Sequence, residues 1–503
     1  MPSQVVKPRR STPKVRTGCS VCKMRRVKCD EQRPNCKRCV SAGWKCTGFA
    51  AAIRPKPENT IQIYNIPFKI PGSRTDRELL HFYCCEAAQC LSRFSDSTLW
   101  TELILQRSQH QPVIRNSLVA LSSLYREYLK VGSNQLGNSL QSLQLMAKSH
   151  KQLSTYLLTP SASPEAALVC SLIFYVFECL VGNTEQAIWH LDRGLDLLKN
   201  YWVDDPDLLA KMDPIYPQLK MIFCHLDVHA SVFLWDRMPV LELASQDHVC
   251  GLYDVVPERF SGIADVEKAQ VILQNWNTNH LMSTKAHKGA QLQELPIEMA
   301  QERLQLERQF QLFEAAIERF RIQNDGQTMN SQDRQRIILL HCQALIFHGV
   351  LLENIILTEE DTKTPMEAYC KFEFALEQIE VLISDFESSN GSKSERREFT
   401  VSTNVVAMLY FVCFKTRDMR LLGRALSMMN SSLYSARDGL WDSRKALLVV
   451  QSVLSENDSL HSEEQMTMRL EDVGSDVINA NSTLDEVFNA LRIEDEVDSK
   501  ATE

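Results

Sequence analysis

The stretch CSVCKMRRVKCDEQRPNCKRCVSAGWKC, residues 19–46, decides how this chain is read. It holds six of the 16 cysteines in 28 residues and states one phrase twice: C-x2-C-x6-C, a gap of six, then C-x2-C-x6-C. A structural zinc takes four ligands in a tetrahedron, so six thiolates serve two metals only if two sulfurs are shared. The duplicated spacing offers one candidate for sharing in each half, its first cysteine. Cys19 and Cys36 would then bridge, with Cys22 and Cys29 completing one metal and Cys39 and Cys46 the other. No coordination position is left open for water or substrate, which makes such a site structural and not catalytic. A segment this short has no hydrophobic core of its own, so metal binding must supply much of its folding free energy.

Basic residues are packed between the thiols. A short helix begun at the first C-x2-C turn presents Lys23, Arg25, Arg26 and Lys28 around its first turns, and arginine pairs bidentately with guanine O6 and N7. In the second half, Lys37 and Arg38 between Cys36 and Cys39, and Lys45 before Cys46, are suited to phosphates. The charge is polarised along the whole chain. Residues 1–56 carry 15 Lys/Arg against Asp30 and Glu31, a net +13, while residues 456–503 carry 14 Asp/Glu against Arg469, Arg492 and Lys500, a net −11. A basic head points to a polyanion, double-stranded DNA being the partner that fits arginines in a metal-held helix, and an acidic tail points to a protein partner.

With those residues in view, residues 19–46 resemble the fungal binuclear cluster of two zinc ions and six cysteines. All six ligand positions match, and Pro34 stands in the loop between the halves where that family usually has proline. The resemblance implies a nuclear, sequence-specific DNA-binding protein that regulates RNA polymerase II transcription. It implies further that the helix end at Arg25 and Arg26, where the family often has lysine, reads a CGG-type triplet in the major groove. A second resemblance covers RELLHFYCCEAAQCLSRFSDSTLWTELILQRSQHQPVIRNSLVALSSLY, residues 77–125, which is similar to the opening of the helical regulatory domain behind the cluster in many filamentous-fungal factors.

Composition divides the rest. Residues 1–17 form a basic arm, 18–48 the cysteine module, 49–73 a linker with prolines at 55, 57, 67 and 71, 74–455 a body, and 456–503 the acidic tail. The linker prolines favour an extended path and leave no leucine heptad, so a homodimer, if formed, would not use a coiled coil beside the cluster. The body is rich in 3.6-residue periodicity, as at 114, 118, 121, 124, 125, 128 and 129, with helical patterns around 76–92, 140–158, 218–235, 296–322, 334–357, 366–385, 400–414 and 434–454. Ser163-Pro164-Glu165 reads as a capped helix start. The expected fold is mostly α: the small zinc module, then a large all-α regulatory domain. The ten remaining cysteines sit in apolar segments and read as small buried hydrophobes.

Other classes find less support. There is no phosphate-cradling glycine motif, and the N-terminal MPSQVVKPRRSTPKVR lacks an apolar secretory core. The longest apolar run, Ala166 to Phe177, is far short of the ~20 residues a bilayer needs, so no membrane span is expected. His225 and His229 stand at i, i+4 without the glutamate of a metalloprotease helix, and His341 and His348 are two turns apart; both pairs read as packed histidines rather than as a zinc enzyme. A zinc store would not require the cations around the thiols. Within transcription, the tail segment STLDEVFNALRIEDEVD, residues 482–498, mixes apolar and acidic residues as a coactivator-binding activation segment does, which favours activator over repressor.

Overall fold

The computed structural model describes residues 17–49 and 71–457, apart from 94–95, 131–139, 201–212, 235, 288–289, 325–328, 355–362, 391–397, 402, 417 and 432–435. Residues 1–16 of the basic arm, 50–70 of the linker and 458–503 of the tail, including the activation-type segment, lie outside the described residues. Two compact units divide at Asn65/Ile66.

In the first unit the duplicated sequence is duplicated local structure. Helix α1 (Ser20–Met24) and helix α2 (Lys37–Val40) each begin on the first cysteine of their half. Cys19 Sγ accepts the Cys22 N–H at 3.4 Å and Cys36 Sγ accepts the Cys39 N–H at 3.3 Å, so a thiol fills the role a hydroxyl or carboxylate has at most helix starts. Asp30 stitches the halves together: its carboxylate accepts the backbone N–H groups of Lys37 at 3.0 Å and Arg38 at 3.1 Å. Helix α1 ends sooner than the basic run suggests. Arg25 is its C-cap, Arg26 turns to a left-handed φ of 55°, and the Val27 N–H bonds back to the Cys22 carbonyl at 3.1 Å. That is a Schellman ending with arginine in the position glycine usually takes. The expectation of one helix presenting all four cations is therefore corrected: Lys23 lies on α1, Arg25 at its end, and Arg26 and Lys28 on the segment that turns back toward Cys29.

The second unit is helical throughout most of its length. Helices α3 (Arg74–Phe82), α4 (Ala88–Leu91), α5 (Ile104–His110), α6 (Pro112–Lys130), α7 (Leu140–Leu157), α8 (Pro164–Val181), α9 (Thr184–Asn200) and α10 (Ile215–Phe233) build a first core. Single π-helical turns, Tyr83–Ala87 and Leu99–Leu103, interrupt its opening, and the Tyr83 hydroxyl donates to the Trp100 carbonyl at 3.1 Å to join them. Ser163 caps α8, with Pro164 in its first turn as the sequence suggests, and Gly182 ends it at a φ of 95°. After the short α11 (Gln246–Val249), helices α12 (Ile263–Ser283), α13 (Ile297–Asn324), α14 (Ser331–Asn354), α15 (Lys363–Asn390), α16 (Val405–Lys415), α17 (Met419–Ser431) and α18 (Ser443–Asn457) surround a second core.

Helix α10 serves both cores: Cys224, Leu226 and Ala230 pack into the first, Val228 and Val232 into the second. A helix enclosed on both sides must also satisfy its polar groups internally. Asp227, fully buried, accepts the backbone N–H groups of Val240 at 3.0 Å and Leu241 at 2.8 Å and pairs with Arg237 at 2.9 Å, fixing the loop that leaves the helix. Helices α8 and α14 are long and apolar enough to cross a membrane, but 72% and 89% of their apolar windows are buried inside the body, as core helices require.

The body is not wholly α. Strands β1 (Glu398–Thr400), β2 (Ala436–Asp438) and β3 (Trp441–Asp442) form a small sheet, β1 parallel to β2 and β2 antiparallel to β3. Strands of two or three residues are too short to display the alternation that distinguishes a strand in a sequence. The sheet has a definite task. Gly439 makes its turn at a φ of 56°, Asp438 accepts from the Thr403 N–H at 2.7 Å and hydroxyl at 2.8 Å, and Arg437 donates to the Cys179 carbonyl in the last turn of α8. A cation at a helix C-terminus complements the helix dipole.

Candidate metal centre and nucleic-acid face

The four thiols of the two C-x2-C turns converge because each turn starts a helix and the halves are tied by Asp30. The sulfurs of Cys19, Cys22, Cys36 and Cys39 all lie within 4.8 Å of one another. Cys36 is 3.6 Å from both Cys19 and Cys22, and Cys39 is 3.7 Å from both. Four sulfurs at 2.3 Å around a tetrahedral zinc would be about 3.8 Å apart, so the donor set fits that ion. All four residues are fully buried, whereas Cys29 and Cys46 are half-buried. Cys29 shares with Asp30 and Cys36 a second group whose ligand atoms lie within 4.8 Å of one another. The approach of Cys22 to Cys39 at 3.7 Å draws together two residues that the spacing argument gives to different metals.

Burial pushes the thiols of Cys22, Cys36 and Cys39 up to about 12, because a thiolate there is stripped of water. Main-chain hydrogen bonds at Cys36 and Gly48 draw Cys46 down to about 7. A buried thiolate set of this kind calls for a dication, which supplies the missing charge compensation.

Around this core the cations face outward. Lys23, Arg26, Lys28, Lys37, Arg38 and Lys45 are exposed; Arg25 is half-buried, its guanidinium over the Trp44 ring at 4.8 Å from the centroid. Three contributors escaped the sequence reading. Gly18 lets the chain pass within contact of Cys29, Asp30 caps α2, and Trp44 receives Arg25. None belongs to a spacing pattern; only the lone aromatic in a basic run gave a signal.

The body offers no comparable centre among its described residues, where no other group of three potential ligands comes within 4.8 Å. His229 is fully buried on α10 and His225 half-buried, its imidazole lowered by burial to about 4, which fits a pair of packed histidines. His348 likewise packs in the second core, stacked 5.2 Å from Phe310 and bonded to Glu314 at 2.6 Å.

Residues 17–56 match the fungal Zn(2)-Cys(6) binuclear cluster domain, and residues 78–355, more than half the chain, match the fungal specific transcription factor domain. The chain belongs to this family of fungal transcription factors: DNA-binding regulators whose cluster binds two zinc ions. Similar proteins include the aspercryptin biosynthesis cluster-specific transcription regulator atnN of Emericella nidulans, 24% identical over 215 residues that cover 36% of this chain and 34% of the relative. The transcription regulator lscL of Purpureocillium lilacinum is 26% identical over 201 residues, 36% of this chain and 48% of the relative. The transcription factor pgmR of Aspergillus terreus is 37% identical over 60 residues, 12% of this chain and 32% of the relative. The alignments thus span from 32% to 48% of the length of these curated relatives. No solved structure matches the chain.

Proposed function

We propose that Cys19, Cys22, Cys29, Cys36, Cys39 and Cys46 hold the two zinc ions, with Cys19 and Cys36 shared, and that the module reads a CGG-type triplet in duplex DNA. Arg25 and Arg26 contact base edges; Lys23, Lys28, Lys37, Arg38 and Lys45 position the module on phosphates. The observation that carries this reading is the geometry of one fully buried sulfur set ringed by outward-facing cations. The chain acts in the nucleus, entering through Lys7, Arg9, Arg10, Lys14 and Arg16, and activates transcription by engaging a coactivator through residues 482–498. Self-association, where it occurs, uses the helical body, and one triplet suffices without strict spacing to a second.

The test is a selection of DNA sites by the full chain, followed by affinity measurements across salt. Arg26→Ala should lose about 1–3 kcal/mol on the selected site and relax the triplet, whereas Lys37→Ala and Lys45→Ala should weaken all sequences alike and flatten the salt slope. An Arg25/Arg26 double variant with unchanged sequence preference would refute the assignment.

A further inference from the structure

Six of the seven cations assigned to DNA are exposed, and Arg25 is the exception. Its guanidinium carbon lies over the Trp44 ring, 4.8 Å from the centroid, and its Nη1 is buried without a hydrogen-bond partner. Main-chain bonds fix both ends of the contact. The Arg25 N–H bonds to the Val21 carbonyl at 3.0 Å as the C-cap of α1, and the Trp44 N–H bonds to the Cys39 carbonyl at 2.9 Å beyond α2. Arg25 therefore belongs to the first zinc half and Trp44 to the second. Trp44 is not a core residue: 51% of it is exposed, in a module whose buried cluster is Val21 and four cysteines.

A guanidinium held on an aromatic face gives up torsional freedom before binding, and with Nη1 buried it is the Nε and Nη2 edge of Arg25 that is left for a bidentate partner. Ordering a side chain in advance removes part of the loss that binding otherwise incurs. We infer that Trp44 is a positioning residue for DNA recognition: it reaches across the two zinc halves, fixes the plane of Arg25, and so sharpens the discrimination Arg25 makes between base edges. The exposed Lys23 and Arg26 have no such support and adapt to the duplex. This inference rests on the DNA reading above and adds to it a determinant in the second half of the cluster.

The experiment is a double-mutant cycle on the full zinc-loaded chain, read as the ratio of affinities for the selected duplex and a scrambled one. Trp44→Leu, which keeps apolar bulk and removes the ring, should lower that ratio about two- to fivefold, while Trp44→Phe should keep most of it. In an Arg25→Ala background, Trp44→Leu should change nothing further. Chains that hold fewer than two zincs are set aside; Arg25→Lys, which keeps the charge and loses the plane, then carries the test and should lower the ratio with an unchanged salt slope. A ratio untouched by Trp44→Leu or by Arg25→Lys overturns the inference, as does a full Trp44→Leu effect in the Arg25→Ala background. A wild-type chain without any sequence preference would remove the DNA reading itself, and the inference with it.

Discussion

Replacing Gly18 by alanine should weaken zinc binding although Gly18 is not a ligand. A Cβ at this position would stand 2.9 Å from the Cys29 Cβ and 3.9 Å from its sulfur. Carbon atoms settle at about 3.5–4.0 Å, so Cys29 would have to retreat by roughly 0.6 Å or more. Metal–ligand distances are held to about ±0.2 Å, and the displacement exceeds that tolerance. The backbone of Gly18 does not occupy the left-handed region, so alanine suits the main chain and the contact alone is altered. Changes in the support of a ligand typically lower metal affinity about 10–100-fold, or about 1.4–2.7 kcal/mol. Because Cys29 is proposed to serve one metal only, a competing chromogenic chelator should remove one zinc from Gly18→Ala early and the second near the wild-type concentration. Two zincs released together at the wild-type chelator concentration would refute both the contact argument and the role of Cys29.

Two other glycines should respond with opposite signs. A Cβ on Gly194, inside α9, would meet the Phe223 ring at 2.3 Å and Ser171 Oγ at 2.7 Å, so Gly194→Ala should destabilise the body by about 1–2 kcal/mol, overpacking outweighing the helix-propensity gain of about 1 kcal/mol. Gly423, in α17, has no atom within 4 Å of such a Cβ, and Gly423→Ala should stabilise by up to about 1 kcal/mol; urea unfolding of both variants decides, and equal shifts would contradict the packing. The body should also weaken in mild acid. His150 and His190, whose rings are 5.0 Å apart, are held by burial at about 4 and about 3, below the ordinary value of 6.5. The unfolded chain binds those protons first, so stability is full above pH ~6.5 and falls by about 1.4 kcal/mol per pH unit for each histidine as pH drops toward its folded value. His190→Phe should make that slope shallower by one proton, as read from unfolding curves between pH 6.5 and 5.

What the sequence disclosed follows from how local each signal is. The cluster is legible because its chemistry is written in spacing: a thiol that caps its own helix and a second thiol one turn later need only four consecutive residues. Helix α6 is legible because its large apolar side chains keep the helical period, small residues such as Ser117, Ala120, Ser122 and Ser123 being buried between them, and α8 because it carries a serine-proline start. Helix α12 left no comparable trace. It is buried on several sides and places Gln270, Gln274, Asn275, Asn277 and Thr278 in the interior, where Gln274 donates to Gln343 at 3.2 Å and Asn275 to the Leu241 carbonyl at 2.8 Å. Those partners are 69 and 34 residues away, so no short window can tell such a helix from a polar loop. The sheet was hidden for the same reason, since Phe399 pairs with Arg437 across α16 and α17. Asp30, Gly18 and Trp44 act on the zinc module through contacts that spacing does not encode.

The cysteines make the point within one residue type. Burial raises Cys170, Cys179, Cys342 and Cys413 in the body to about 12, the same level as Cys22, Cys36 and Cys39 in the module. Burial therefore does not separate a ligand thiol from a core thiol. Company does. Cys170 lies 3.6 Å from the Ser117 hydroxyl and Cys342 lies 3.7 Å from the Ala375 carbonyl, neutral neighbours that suit a neutral thiol. Cys19, Cys22, Cys36 and Cys39 instead each face two further sulfurs at 3.6–3.7 Å, an arrangement that neutral side-chain packing does not require and a shared dication does. Replacing Cys342 by alanine should accordingly cost only packing, about 1 kcal/mol of stability with both zincs retained, whereas Cys36→Ala should release both metals because its sulfur is proposed to bridge them. Retention of even one tightly held zinc by Cys36→Ala, measured by elemental analysis of the full chain, would mean that the two ions do not share that sulfur.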